Sequence, residues 1–128
     1  MQSTSLENAA YLHDAEVQEF LLGIDKLGRR VFRLVLWCDP ECGLEDWNDK
    51  KIAIEFRDPL IVLTELFGHM VNTETFNAWN QGPSSTMRER IGRLTDIGIP
   101  NPKHTIELVF HSGSIVEVAC EEIEFSIQ

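Results

Sequence analysis

The chain has 128 residues, 43% hydrophobic and 25% charged, with 21 acidic against 11 basic side chains and a net charge of −10. That length and composition imply one globular domain with a real core, and argue against disorder beyond the polar first residues. The acidic balance excludes nucleic acid and anionic membranes as natural partners; it favours a basic protein partner, or it serves solubility alone.

The start, "MQSTSLEN", lacks a basic region followed by an apolar one, so no signal peptide is expected. Residues 1–10 are expected to form a flexible N-terminal segment, and residues 11–128 a single β-rich domain. Apolar runs such as "VLW" and "LIVL" are too short to span a bilayer. The expected compartment is the cytoplasm, to which the odd count of 3 cysteines adds weak support.

The first element to read is "YLHDAEVQEF", where His13 adjoins Asp14 just before a strand pattern over 16–24. A metal site needs about four donors, and the other histidines, His69, His104 and His111, are scattered near element ends. The pair therefore reads as structural, a buried polar pair holding the start of the strand through local hydrogen bonds. No metal and no cofactor are expected. "IDKLGRR", with Gly28 available for a positive φ, reads as the turn of a hairpin to a second strand over 30–38. There Phe32, Leu34, Leu36 and Cys38 fall on one face, and Val31, Arg33, Val35 and Trp37 on the other.

The loop "DPECGLEDWNDK" gathers Asp39, Glu41, Glu45, Asp46 and Asp49 around Trp47. Its spacing and strand flanks do not suit an EF-hand calcium loop. Cys38 and Cys42 resemble half of a zinc site whose second half is missing. Glu45, Asp46, Trp47 and Asp49, with Trp79 further on, are the candidate partner-binding residues. The ordinary reading of both tryptophans is that they plug the core; exposed, they would be natural anchors for a partner.

"KIAIEFR" alternates, with Ile52, Ile54 and Phe56 inward and Ala53, Glu55 and Arg57 outward. "DPLIVLTELFG" carries helix start and stop signals, yet Ile61, Val62 and Thr64 are β-branched, and a strand is favoured. "TETFNAWNQGPSS" reads as a loop. "SSTMRERIGRLTDIGIP" reads as one short helix, about residues 86–97: hydroxyl residues suit its N-cap, Met87, Ile91 and Leu94 share a side, and Gly98 and Pro100 end it. Its other face carries Arg88, Arg90 and Arg93, a basic cluster expected to be solvated or paired within the chain. "HTIELVFH", "SIVEVAC" and "EIEFSI" are further strands, and "HSGSI" is a hairpin tip.

Alternation with one apolar face is antiparallel behaviour, so the expected fold is mainly β: an antiparallel β-sandwich or open barrel with one short helix. No nucleophile elbow and no Gly-rich phosphate loop occurs, and nothing in the sequence supports an enzyme. The pieces "LHDAEV" (12–17), "IEF" (54–56) and "CEEIEF" (120–125), around a hairpin, resemble small bacterial immunity protein 50-like proteins. That resemblance implies a protein that neutralises a co-encoded toxin by binding it, without catalytic residues. The leading expectation is a non-enzymatic cytoplasmic binding protein of this kind. The alternative is a small-molecule-binding or enzymatic domain with a pocket near His13 and Asp14. Neither reading specifies an oligomeric state.

Overall fold

A computed structural model describes residues 12–40, 45–71 and 74–128. The expected flexible segment 1–10, and Glu41 and Cys42 of the acidic loop, lie outside these residues. The described elements are β1 (Glu16–Ile24), β2 (Arg30–Trp37), a 3₁₀ turn (Glu45–Trp47), β3 (Lys51–Arg57), β4 (Ile61–Glu65), β5 (Phe76–Gln81), α1 (Ser85–Asp96), β6 (His104–Phe110), β7 (Ile115–Cys120) and β8 (Glu122–Ile127). They form two four-stranded antiparallel sheets, ordered β1-β2-β3-β8 and β4-β7-β6-β5. The fold is a β-sandwich with one short helix, and the sheets do not close into a barrel.

Side-chain alternation builds the core. Phe32, Leu34, Leu36 and Cys38 from the β2 segment meet Ile52, Ile54 and Phe56 of β3 and Phe125 of β8. Ile106, Leu108 and Phe110 of β6, with Val116, Val118 and Cys120 of β7, face them from the second sheet. Each large apolar side chain removed from water contributes roughly 1.5–3 kcal/mol. The ambiguous segment 58–68 is indeed a strand, β4, as its β-branched residues favour.

The helix begins at Ser85, one residue before the expected start. Ser84 is its N-cap and accepts a hydrogen bond from the Met87 backbone N–H at 3.1 Å. Gly98, at φ 92°, lets the backbone N–H groups of Gly98 and Ile99 reach back to Thr95 and Leu94, a Schellman closure. Met87 is fully buried, while Ile91 and Leu94 are half-buried. The helix lies over the outward face of the second sheet. The Ser84 hydroxyl and backbone N–H both donate to the buried Glu117 carboxylate of β7, at 2.6 and 2.8 Å.

Two expectations need correction. The segment read as a loop over 73–85 contains β5. Its amide-rich "FNAWNQ" has low strand propensity, and a register shift between Phe76 and Ala78 breaks the two-residue period that marks a strand. Nor does the outward face of the first sheet simply meet water: Val31, Val35, Ala53 and Ser126 on that face are also buried. They sit among the longer side chains of Arg33, Glu55, Arg57 and Glu124, which join in ion pairs across β2, β3 and β8.

Candidate functional site

The first candidate region is the corner where the two sheets meet. Residues 14–17, at the start of β1, also pair along their other edge with residues 74–76: Asp14 N–H donates to Phe76 O, Phe76 N–H to Ala15 O and Val17 N–H to Glu74 O. The next strand over is tied in by His111 N–H donating to Thr75 O at 3.0 Å. Three distant stretches of sequence are thereby stapled together. Asp14 takes a left-handed φ of 69°, a conformation that aspartate tolerates better than most residues.

The staple brings His111 against the His13–Asp14 pair. His111 Nε2 lies 2.7 Å from Asp14 Oδ1, and His13 Nε2 lies 3.5 Å from the same oxygen. The two imidazoles meet edge to face with centroids 5.2 Å apart. His13 Nδ1 is 2.8 Å from the Asn77 carbonyl oxygen. That oxygen can only accept, so Nδ1 carries the proton and Nε2 faces Asp14. All three residues are exposed. His13 and Asp14 are thus not the buried polar pair the sequence suggests, and His111 is not the isolated strand-end residue it resembles there. The sequence places His111 97 positions from Asp14, and only an assigned β5 would have shown that the β6–β7 tip folds over the same corner.

Beside this trio, Glu74 is 4% exposed. Its carboxylate accepts from the backbone N–H groups of Thr75 and Ser112 at 3.1 and 3.2 Å, and from the Ser112 hydroxyl. The Ser112 hydroxyl is also 2.9 Å from that of the buried Ser114, which accepts from the Phe67 N–H at 2.8 Å. These bonds tie the β6–β7 tip down from both sides. The serines of "HSGSI" are occupied by structure.

The expected partner-binding residues separate into two groups. Glu45, Asp46 and Asp49 lie exposed on the 3₁₀ turn and its end, and Asp49 Oδ1 accepts from Trp37 Nε1 at 3.2 Å. Trp47 is turned inward instead. It is 4% exposed and stacks on Phe125 at 6.0 Å, so it is a core plug and not an anchor. Trp79 is half-buried between Phe56 and Phe125, at 5.9 and 5.7 Å, and its Nε1 is buried without a hydrogen-bond partner. Stacking draws both indoles inward: Trp79 meets aromatic rings of the facing sheet, and Trp47 meets Phe125 of its own sheet.

The apolar surface lies elsewhere. Leu21, Leu22, Ile24 and Leu27, on β1 and its turn, are 52%, 62%, 71% and 77% exposed. β1 is an edge strand, and beyond the single bridge from Glu16 to Thr75 its outer edge has no described partner. Leu22 and Ile24 overhang a groove of about 300 Å³ whose far wall is Pro59, Leu60 and Val62. The sequence held a signal for this: "EFLLGIDKL" puts apolar residues on both faces of one strand and a leucine in its turn. A second exposed group, Leu66, Phe67 and Val71, follows β4.

Arg88, Arg90 and Arg93 are exposed on α1, and Arg93 pairs with Glu89 one turn back. Burial, with the Glu121 charge adding to it, pushes the Cys120 thiol up to about 12. A thiol so held stays uncharged at neutral pH and is not a nucleophile. Among the described residues, no helix is long and apolar enough to cross a membrane. Comparison with protein families, with curated proteins and with solved structures finds no match to this chain.

Proposed function

We propose that this is a non-enzymatic binding protein that masks a basic protein partner, as an immunity protein masks its toxin. One observation carries the reading: four apolar side chains stand exposed along the open edge of β1 and its turn. A long edge strand with an apolar surface is a template for another chain unless something covers it. An added strand would take main-chain hydrogen bonds from β1, and Leu22 and Ile24 would supply the apolar contact.

The charge of −10 supports a basic partner. Glu45, Asp46 and Asp49 lie near the opposite end of β2 from the hairpin turn. Their role in this reading is to steer a cationic partner by long-range attraction, while the β1 edge holds it. The sequence resemblance to immunity protein 50-like proteins supports the same function, and the apolar anchors move from Trp47 and Trp79 to the β1–β2 hairpin.

The test uses the basic protein encoded beside this chain, with association followed across a salt series. Replacing Glu45, Asp46 and Asp49 by amides is expected to slow association several-fold at low salt and to flatten its salt dependence. Leu22→Lys with Ile24→Lys is expected to speed dissociation at least about tenfold while leaving the melting temperature within a few degrees of the wild type. Absence of a complex, or a complex indifferent to the hairpin substitutions, would sink the reading.

A further inference from the structure

The His13–Asp14–His111 trio has no part in the proposed partner surface. We infer that it is a binding site for a divalent transition-metal ion of the zinc, nickel or cobalt class. One ligand atom from each residue lies within 4.8 Å of the other two. Ions of this class hold nitrogen and oxygen donors at about 2.0–2.2 Å, which places neighbouring donors about 3 Å apart. The separations of 2.7 and 3.5 Å around Asp14 Oδ1 are already close to that spacing. Small side-chain rotations complete the fit, because all three side chains are at the surface and free of packing constraints on one side.

Two further features point to a metal rather than to a simple hydrogen-bonded trio. The first is the bond from His13 Nδ1 to the Asn77 carbonyl. Metal-binding histidines characteristically donate their second ring N–H to a backbone carbonyl or carboxylate, which fixes the tautomer and aims the other nitrogen. Here the aimed atom is Nε2, directed at the oxygen it would share a cation with. The second is rigidity of the backbone beneath. Asp14, Phe76, Thr75 and His111 are joined by main-chain hydrogen bonds of 2.7 and 3.0 Å, so the donors are pre-positioned by the sheet corner. Two imidazoles and one carboxylate select borderline ions over magnesium and calcium, which prefer all-oxygen sets. The proton between His111 Nε2 and Asp14 Oδ1 leaves as the cation takes its place: to solvent from an imidazolium, or to Nδ1 in the neutral ring. Three protein donors leave the remaining coordination positions to water or to a donor from a second molecule.

The experiment is calorimetric titration of tag-free protein with zinc, nickel, cobalt and magnesium chlorides, with the visible absorption of the cobalt form as a second readout. The expected result is one-to-one binding of the first three and none of magnesium. His13→Ala, His111→Ala and Asp14→Asn should each weaken binding at least about tenfold and alter the cobalt spectrum. Near-ultraviolet circular dichroism of each variant checks that the fold is kept, and His69→Ala serves as a control expected to bind as the wild type. Two results would overturn the site: no binding at millimolar metal, or binding unchanged in folded His13 and His111 variants. The second would assign the metal to other residues. Because the readout is metal alone, these outcomes are independent of the partner experiment.

Discussion

Asp25 shapes the turn between β1 and β2. Its Oδ1 accepts from the backbone N–H groups of Leu27 and Arg29 at 2.9 and 3.0 Å, and its Oδ2 accepts from Arg29 Nε at 3.3 Å. Gly28, at φ 80°, supplies the left-handed residue that closes the turn. The Arg29 backbone N–H, helped by that of Leu27 and by the Arg29 charge, holds the Asp25 carboxyl below its ordinary value. A carboxylate pKa depressed on folding contributes stability above its unfolded value, and that stability is lost as pH falls through the folded value. Asp25→Asn should therefore melt lower than the wild type at about pH 7, and the gap should close as pH falls through the folded value. Thermal melts across that range decide it; a gap that persists in acid would show that the charge has no part. The turn itself is legible in "IDKLGRR", because the signal is local. The exposure of Leu27 beside it is not, because that depends on whether another part of the chain packs against the turn.

On the outward face of the first sheet, Arg57 bridges two opposed acids. Glu55 of β3 and Glu124 of β8 are directly opposite in register. Like charges so placed repel across a ladder. Arg57 resolves the conflict, with Nη2 2.9 Å from both carboxylates. The Glu124 hydrogen bond, with the charges of Glu124 and Glu55, holds the guanidinium above its ordinary pKa. Arg57→Ala should cost about 2 kcal/mol, roughly the value of a hydrogen bond to a charged group plus the repulsion left behind. Melting temperature would fall by several degrees. Added salt should recover part of the loss in the variant by screening Glu55 from Glu124. A variant as stable as the wild type would mean that the pairing is cosmetic. Alternation in "KIAIEFR" and "EIEFSI" shows that these three residues share a polar face. It does not show which residue of β8 stands opposite which residue of β3, since register is set by pairing of segments far apart in sequence.

Aromatic contact joins the two sheets into one molecule. Phe20, Phe32 and Phe56 follow one another through the core, with centroids 5.0 and 5.4 Å apart. Trp79 of the second sheet then lies against both Phe56 and Phe125 of the first, and Trp47 closes the far end on Phe125. Phe125 is 1% exposed and touches both indoles, so its loss opens a cavity where the sheets meet. Phe125→Ala should cost about 3–5 kcal/mol, a large share of the stability of a single domain. Urea unfolding followed by tryptophan fluorescence would measure it, and the native emission should change as Trp47 and Trp79 lose their neighbour. A loss below about 1 kcal/mol would mean that the two sheets are not held together through this stack.

The sequence by itself determined the class of fold, the two hairpins, the place of the helix and the inward faces of β2, β3, β6 and β8. Those features follow from the two-residue and 3.6-residue periods of side-chain direction, which a chain carries wherever it goes. Tertiary structure alone decided three things. It showed β5, whose amides and bulge erase the period, and turned Trp47 and Trp79 inward, because the rings of Phe125 and Phe56 were there to receive them. It also set His111 against His13 and Asp14: a sheet corner joins residues 14, 75 and 111 through main-chain hydrogen bonds, and such bonds carry no mark of their partners in the sequence.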